Sequence, residues 1–208
     1  MDNNAKIVYR FKKALYINLT NRCPNACAFC LKNPKDMFFE GYNLNLAGKE
    51  PSPKQVLEEI YKLLGEKPAE EIVFCGYGEP TMRLDALLEI AGELRQKISA
   101  KIRLNTVGLG NIVHGRDITG ELAKVLDRIN ISINSPDEDE WLRIVRPAPK
   151  YAQKGYQSML DFIRRAAQKM PEVTVSIVDK QGIDARRTKE LAESLGAKFY
   201  VREFIDEK

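Results

Sequence analysis

No uninterrupted apolar run in this 208-residue chain approaches the roughly 18 residues that a membrane-spanning helix needs, which argues against an integral membrane protein. The first residues, MDNNAKIVYRFKK, lack the apolar stretch of a signal peptide, so a cytoplasmic location with no membrane attachment is expected. Charge of one sign is scarce as well: 33 Lys and Arg stand against 29 Asp and Glu, a formal net charge of +4. That balance argues against a dedicated nucleic-acid binder, whose basic residues would dominate one face, while leaving a modest basic patch and a nucleic-acid link open. Cysteine occurs only four times, with three of the four inside eight residues, and a chain of this length buries a full core without staples. Metal binding therefore reads better than disulfides. No internal repeat, low-complexity tract or linker interrupts the chain, and one domain over residues 1–208 is expected.

What is present is a repeated strand-then-helix pattern. ALYINLT (residues 14–20), EIVFC (71–75), KIRLNT (101–106), RINISIN (128–134), EVTVSIV (172–178) and AKFYVREF (197–204) are short and rich in β-branched or aromatic residues, and helical segments separate them. Alternation of this kind implies a parallel sheet. Ser52-Pro53 with Gln55 is a capping-box pattern opening a helix to about Gly65, and Ser135-Pro136 with Glu138 repeats it after the fourth strand. Thr119 and Asp184 read as N-caps and Gly196 as a C-terminal stop. The apolar residues Leu84, Leu87, Leu88, Ala91, Leu94 and Ile98 recur at helical spacing. One connection, residues 20–52, is about 30 residues long, and loops of that length inside a compact domain are usually functional. It holds the clustered cysteines.

Strands of a parallel sheet covered on both sides should be continuously apolar, yet several here alternate. Tyr16, Asn18 and Thr20 share one face of the first strand, Arg103 and Asn105 of the third, Asn130, Ser132 and Asn134 of the fourth, and Thr174 and Ser176 of the fifth. The opposite faces are apolar and must pack on helices. The polar faces should converge on water or a ligand, which suits the inner wall of a parallel barrel, complete or partial, better than a flat doubly wound sheet. An open sheet with one solvated face is the alternative.

Two constellations carry chemistry. Cys23, Cys27 and Cys30 form CxxxCxxC directly after the first strand, at the C-terminal rim where sites of α/β folds collect. Zinc would want a fourth protein ligand, with only Cys75 or His114 at a distance. An iron-sulfur cube on three cysteines would leave one iron open to a substrate's amino and carboxylate groups. The spacing fits either metal. The second constellation is CGYGEP (residues 75–80), after the second strand, where Gly76 and Gly78 let a ligand approach the backbone and Glu79 sets a carboxylate at the rim.

Together these residues resemble the radical S-adenosylmethionine enzymes. The cysteine spacing with aromatic Phe29 before the last cysteine is similar to that superfamily's cluster loop, and Gly76-Tyr77-Gly78-Glu79-Pro80 to its GGEP motif with Tyr in place of the second Gly. More narrowly, YINLTNRCPNACAFC, FCGYGEPT and INSPD resemble the small radical proteins described as linked to TatD-type nucleases. The resemblance implies a laterally open, partial (β/α)6 barrel. It also implies that Cys23, Cys27 and Cys30 ligate a 4Fe-4S cluster whose open iron chelates S-adenosylmethionine. Gly78 and Glu79 would sit by its amino group, Asn105 or Thr106 by the methionyl part, and Ser132 and Asn134, with Asn130 on the same face, by the ribose or carboxylate. The implied chemistry is one-electron reduction of the sulfonium to methionine and a 5′-deoxyadenosyl radical, followed by hydrogen abstraction from a substrate. An external donor of flavodoxin or ferredoxin type would supply the electron. Because the chain stops four residues after the last strand, the barrel's side is expected to lie open to a large substrate, such as a protein segment, or to a closing partner.

The competing reading is a zinc-stabilised interaction or nucleic-acid-binding module, with Cys75 or His114 completing the site and Arg186, Arg187 and Lys189 meeting phosphate. Cys75 otherwise reads as a buried structural cysteine, His114 as a hydrogen-bonding surface residue and Trp141 as packing. Arg143 and Arg146 fit a carboxylate or phosphate as well as they fit a solvated helix face. Arg202 faces inward with Tyr200 if the last strand keeps the parity of its neighbours.

Overall fold

The computed structural model describes residues 5–30, 37–179 and 182–203. Its centre is a seven-stranded open sheet built from β1 (Val8–Phe11), β2 (Ala14–Ile17), β5 (Glu71–Phe74), β6 (Lys101–Thr106), β7 (Arg128–Ser132), β8 (Val173–Val178) and β9 (Lys198–Arg202), in that spatial order. Every pairing from β2 to β9 is parallel, and only β1 runs antiparallel, against β2. The six parallel strands are those expected from the alternation. The edge strand β1 was not, because VYRF is four residues with no alternation of its own and becomes a strand by folding back on β2 through Lys12, which adopts φ 52°. A second small sheet pairs β3 (Phe38–Phe39) with β4 (Tyr42–Asn43) across Glu40 and Gly41, both at positive φ, in the two-residue turn that suits hairpin twist.

Helices α1 (Pro53–Glu66), α2 (Leu84–Lys97), α3 (Gly110–His114), α4 (Thr119–Val125), α5 (Glu138–Val145), α6 (Pro149–Ala152), α7 (Gly155–Lys169) and α8 (Ala185–Ser194) lie in the connections. The apolar strand face, including Ile17, Ile72, Phe74, Leu104, Ile131 and Val175, is fully buried in one core with Val56, Ile60, Leu87, Leu94, Phe162 and Ala192 from the helices. Trp141 is buried in the same core, edge-on to Tyr156, as the packing reading held. The sheet does not close on itself, so β1 and β9 are its two edges, and the architecture is the laterally open partial barrel.

Caps depart from expectation in two places. Ser52 does cap α1, with Gln55 returning the bond. After β7, however, Asp137 caps α5 by accepting from the Glu140 N–H, while Ser135 Oγ donates to Glu140 Oε2 at 2.6 Å. Pro136 thus stays in the turn, and the helix starts later than the Ser135 pattern predicts. Thr119 is the first residue of α4, and Asp117 in front of it accepts from both its N–H and its hydroxyl. Asp184 caps α8 and Gly196, at φ 82°, follows its end, as read from the sequence. Residue 204, the last of the expected sixth parallel strand, lies outside the described residues.

Candidate active site

Backbone contacts on both sides fix the cysteine loop at the C-terminal rim of β2. The Ala26 and Ala28 N–H groups donate to the carbonyls of Arg146 and Ile144 at the end of α5, and Ala148 N–H donates to the Pro24 carbonyl. Asn25 forms an isolated antiparallel bridge with Pro147. The WLRIVRPAP segment therefore serves the site through its main chain. The Arg143 and Arg146 side chains stay exposed, and Arg146 is the left-handed residue (φ 49°) that turns the chain toward the loop. At the loop's start, Glu50 accepts from Thr20 Oγ1, from Arg22 Nε at 2.7 Å and from Arg22 Nη2, and Arg83 pairs with the same carboxylate at 3.3 Å. Neither Glu50 nor Arg83 belongs to a motif, and tertiary proximity alone gives them this role.

Two glycines dock the GYGEP turn onto this loop. A Cβ on Gly78 would lie 2.2 Å from the Thr20 carbonyl oxygen and 2.7 Å from that of Arg22, and one on Gly76 would lie 2.5 Å from Asn18 Oδ1. Glu79 N–H donates to the Arg22 carbonyl at 2.8 Å. The Glu79 side chain is buried and receives four donors: Val107 N–H at 2.8 Å on one oxygen, and Thr106 Oγ1 (2.8 Å), Thr81 Oγ1 (2.7 Å) and Thr81 N–H (3.1 Å) on the other. Burial pushes its carboxyl above the ordinary range, and those donors oppose the shift. Glu79 thus ties the turn after β5 to the end of β6, and Thr106 spends its hydroxyl on that tie. Tyr77 turns the other way, its hydroxyl donating to the Phe38 carbonyl in an aromatic cluster with Tyr9, Met37 and Leu44.

All four cysteines are thiols outside any disulfide. Burial first, then the negative charge of Glu79, pushes Cys23 up to about 12, and burial with the neighbouring Cys30 pushes Cys27 up to about 12. Among the described residues no three His, Cys, Asp or Glu side chains already converge as a metal site. The donor chemistry nonetheless fits a cluster. Three thiols on one loop sense one another's charge, and a bound metal is what removes their protons. Phe29 beside them is half-buried.

The inner wall is polar in the rows that strand parity predicts. Register places Asn105 beside Asn130 and Asn130 beside Thr174, then Ser132 beside Ser176 and Ser176 beside Tyr200. Asn130 Oδ1, Asn134 Oδ1, Ser176 Oγ and Arg202 Nε are buried without a hydrogen-bond partner. Buried polar atoms are nearly always satisfied, so orphans gathered on one wall fit a site made for bound groups. Asn134 reaches it from just past the end of β7 in a left-handed conformation (φ 62°), which asparagine tolerates better than most residues. The polar face of β2 differs from expectation, because protein covers it. Asn18 Nδ2 donates to the Lys6 and Leu44 carbonyls, and Tyr16 joins the aromatic cluster. The cover comes from β1 and the residues before it and from the β3–β4 hairpin in the long connection, short segments in which strand periodicity gives no warning of it.

Cys75 lies on the inner wall, where Asn105 donates to it; burial raises its pKa, while that bond and the positive charges of Arg103 and Arg202 oppose the rise. His114 Nε2 sits 2.7 Å from the Thr81 carbonyl. Arg186 and Lys189 pair with Glu190 and Glu193 one turn along α8. His114 is thus engaged away from the cysteine loop, and Arg186, Arg187 and Lys189 are exposed on α8, two of them beside acidic residues of the same helix.

The geometry defines a laterally open partial barrel with a cysteine loop at its C-terminal rim and a polar inner wall, and comparison with known proteins names the class. Residues 17–195 match the family model described as "Radical SAM superfamily", and the chain belongs to that superfamily. It is 29% identical over 147 residues, 68% of this chain and 39% of the other, to the "Probable dual-specificity RNA methyltransferase RlmN" of Synechococcus sp. (strain CC9311). Its fold resembles Streptococcus suis SuiB bound to precursor peptide SuiA, with TM-score 0.68 and 16% identity over 96% of this chain and 41% of that one. SuiB bound to S-adenosylmethionine gives TM-score 0.63 at 16% identity over 93% of this chain and 39% of that one. The chain therefore spans about two fifths of the length of these proteins.

Proposed function

We propose that this chain binds a 4Fe-4S cluster through Cys23, Cys27 and Cys30 and S-adenosylmethionine beside it, and initiates hydrogen abstraction from a peptide or protein segment. The observation that carries the reading is the family match across residues 17–195, joined to a three-thiol loop that packs on the GYGEP turn. When bound, the cluster and S-adenosylmethionine supply one-electron cleavage of the sulfonium to methionine and a 5′-deoxyadenosyl radical. The chain's own residues supply position. Gly76 and Gly78 admit close backbone approach, and Glu79 fixes the end of β6 so that Asn105, Thr106 and the Val107 backbone hold one geometry. Asn130, Ser132 and Asn134 offer hydrogen bonds along the wall, and Phe29 shields the loop.

What supports a peptide or protein substrate is that SuiB, a structure of the same fold, was solved with a precursor peptide. An electron donor of flavodoxin or ferredoxin type and a cytoplasmic location complete the reading. No helix among the described residues is long and apolar enough to cross a membrane. The test is an anaerobic assay of the reconstituted chain with reductant and S-adenosylmethionine. We expect 5′-deoxyadenosine from the wild type and none from Cys23→Ala, Cys27→Ala or Cys30→Ala. Equal product from those variants would overturn the assignment of the ligands.

A further inference from the structure

The inner wall carries two partly buried arginines, and only one has a counter-charge. Arg103 pairs with Glu71 at 2.9 Å and donates to Asn105 Oδ1 at 2.7 Å. Burial works against its charge, but Glu71 outweighs the penalty and raises its pKa. Arg202, on the last strand, has no such partner. Its Nη2 donates to Ser132 Oγ at 3.0 Å, its Nε is buried with nothing to bond, and among the described residues no carboxylate lies within ion-pair distance. The acidic groups that act on it are the thiols of Cys75 and Cys27 and the Tyr200 phenol. Ser176 lies between its strand and Ser132 in register, is fully buried, and leaves its hydroxyl unsatisfied. Asn130, one tier below, is nine-tenths buried with Oδ1 unbonded.

A buried guanidinium without an anion is costly, and proteins seldom keep one unless something else supplies the charge. Arginine's planar fork suits the paired oxygens of a carboxylate or phosphate. We infer that Arg202, with Ser132 and Ser176, forms a subsite for an anionic oxygen group of the substrate, a carboxylate or a phosphate. This rests on the proposed radical reading for calling the ligand a substrate. Ser132 on β7 belongs also to the wall that this reading gives to the cofactor, whereas Arg202 and Ser176 reach the subsite from β9 and β8, so the anion would be held at the β9 side of that wall.

The test titrates inorganic phosphate and, separately, glutarate into the anaerobically reconstituted full chain saturated with S-adenosylmethionine, with binding read by calorimetry. We expect one of the two anions to bind the wild type, which also tells phosphate from carboxylate. Binding should be weaker by about tenfold or more in Arg202→Gln and partly restored in Arg202→Lys, the scale of one charge-assisted contact. Affinity for S-adenosylmethionine should stay within about twofold. A fall in that affinity of the same size would make Arg202 a cofactor residue and overturn the inference, as would failure of both anions to bind or equal binding to Arg202→Gln. Thermal melting without anion gives an independent readout. Arg202→Met should melt at or above the wild type, because it removes an uncompensated charge; a lower midpoint would mean a structural role and overturn the inference. Loss of 5′-deoxyadenosine formation in the wild type with Arg202-dependent anion binding intact would instead count against the radical reading alone.

Discussion

Glu79 concentrates more of the site's order than any other single side chain. Four donors converge on a carboxylate that is 2% exposed, so removing it strands donors from three residues in a dry interior. Glu79→Ala should destabilise the fold by roughly 3 kcal/mol or more, measured by urea unfolding. A loss below about 1 kcal/mol would mean that water replaces the carboxylate. Gly78→Ala is expected to be worse for the site than for the sheet. A Cβ at 2.2 Å from a backbone oxygen must push the cysteine loop away, so the variant should stay folded by circular dichroism but load less iron than the wild type. At this scale the sequence discloses chemistry but not partners. The cysteines and Glu79 stand out by type and spacing, whereas Glu50 and Arg83 look like ordinary charged residues until the fold sets them against Thr20 and Arg22. Arg202 was legible only through strand parity, which does point it inward onto Ser132, although Tyr200 on the same face stays half-exposed.

Among the elements, the cysteine loop depends on main-chain bonds that no side-chain pattern advertises. Ala28→Pro removes the N–H that donates to Ile144 at 2.8 Å, and should lower iron loading while leaving the melting midpoint little changed. Full iron content in that variant would show that the α5 contact does not position the loop. Asp117 plays the corresponding role for helices, accepting from the Thr119 N–H at the start of α4 and from Lys169 (2.7 Å) and Arg165 (3.4 Å) on α7. Partial burial pushes its carboxyl up, but the Lys169 ammonium and the Thr119 donors outweigh that and hold it well below the ordinary range. A depressed folded-state pKa gives stability that is present above the unfolded value near 3.9 and lost as pH falls below it. Asp117→Asn should therefore cost about 1 kcal/mol at neutral pH, discounted for partial exposure, with the gap to wild type closing below about pH 4. A gap independent of pH would contradict that account. The expected cap at Thr119 overlooks this residue because a threonine two residues after an aspartate reads equally well as cap or as first helical residue. Ser135 was misread for a similar reason, since Asp137 offers a carboxylate two residues closer to the helix.

Taken whole, the architecture was the most legible level. Six short strands with helical segments between them, four of them with alternating faces, are enough to specify a parallel sheet with a polar concave wall, and each of the six is present. The aromatic cover over β2, with β1 and the β3–β4 hairpin, was not legible, because two- and four-residue strands carry too little periodicity and are fixed by what they pack against. The covered end and the open end now differ: Asn18 and Tyr16 are satisfied by protein, whereas Asn130, Ser176 and Arg202 keep unbonded atoms. The account's central claim is that the three thiols at the rim hold an iron-sulfur cluster, and iron, sulfide and zinc analysis of anaerobically purified, reconstituted protein tests it most directly. We predict about four irons with matching sulfide per chain, lost in the Cys23→Ala variant. Stoichiometric zinc with no iron after reconstitution would contradict the claim.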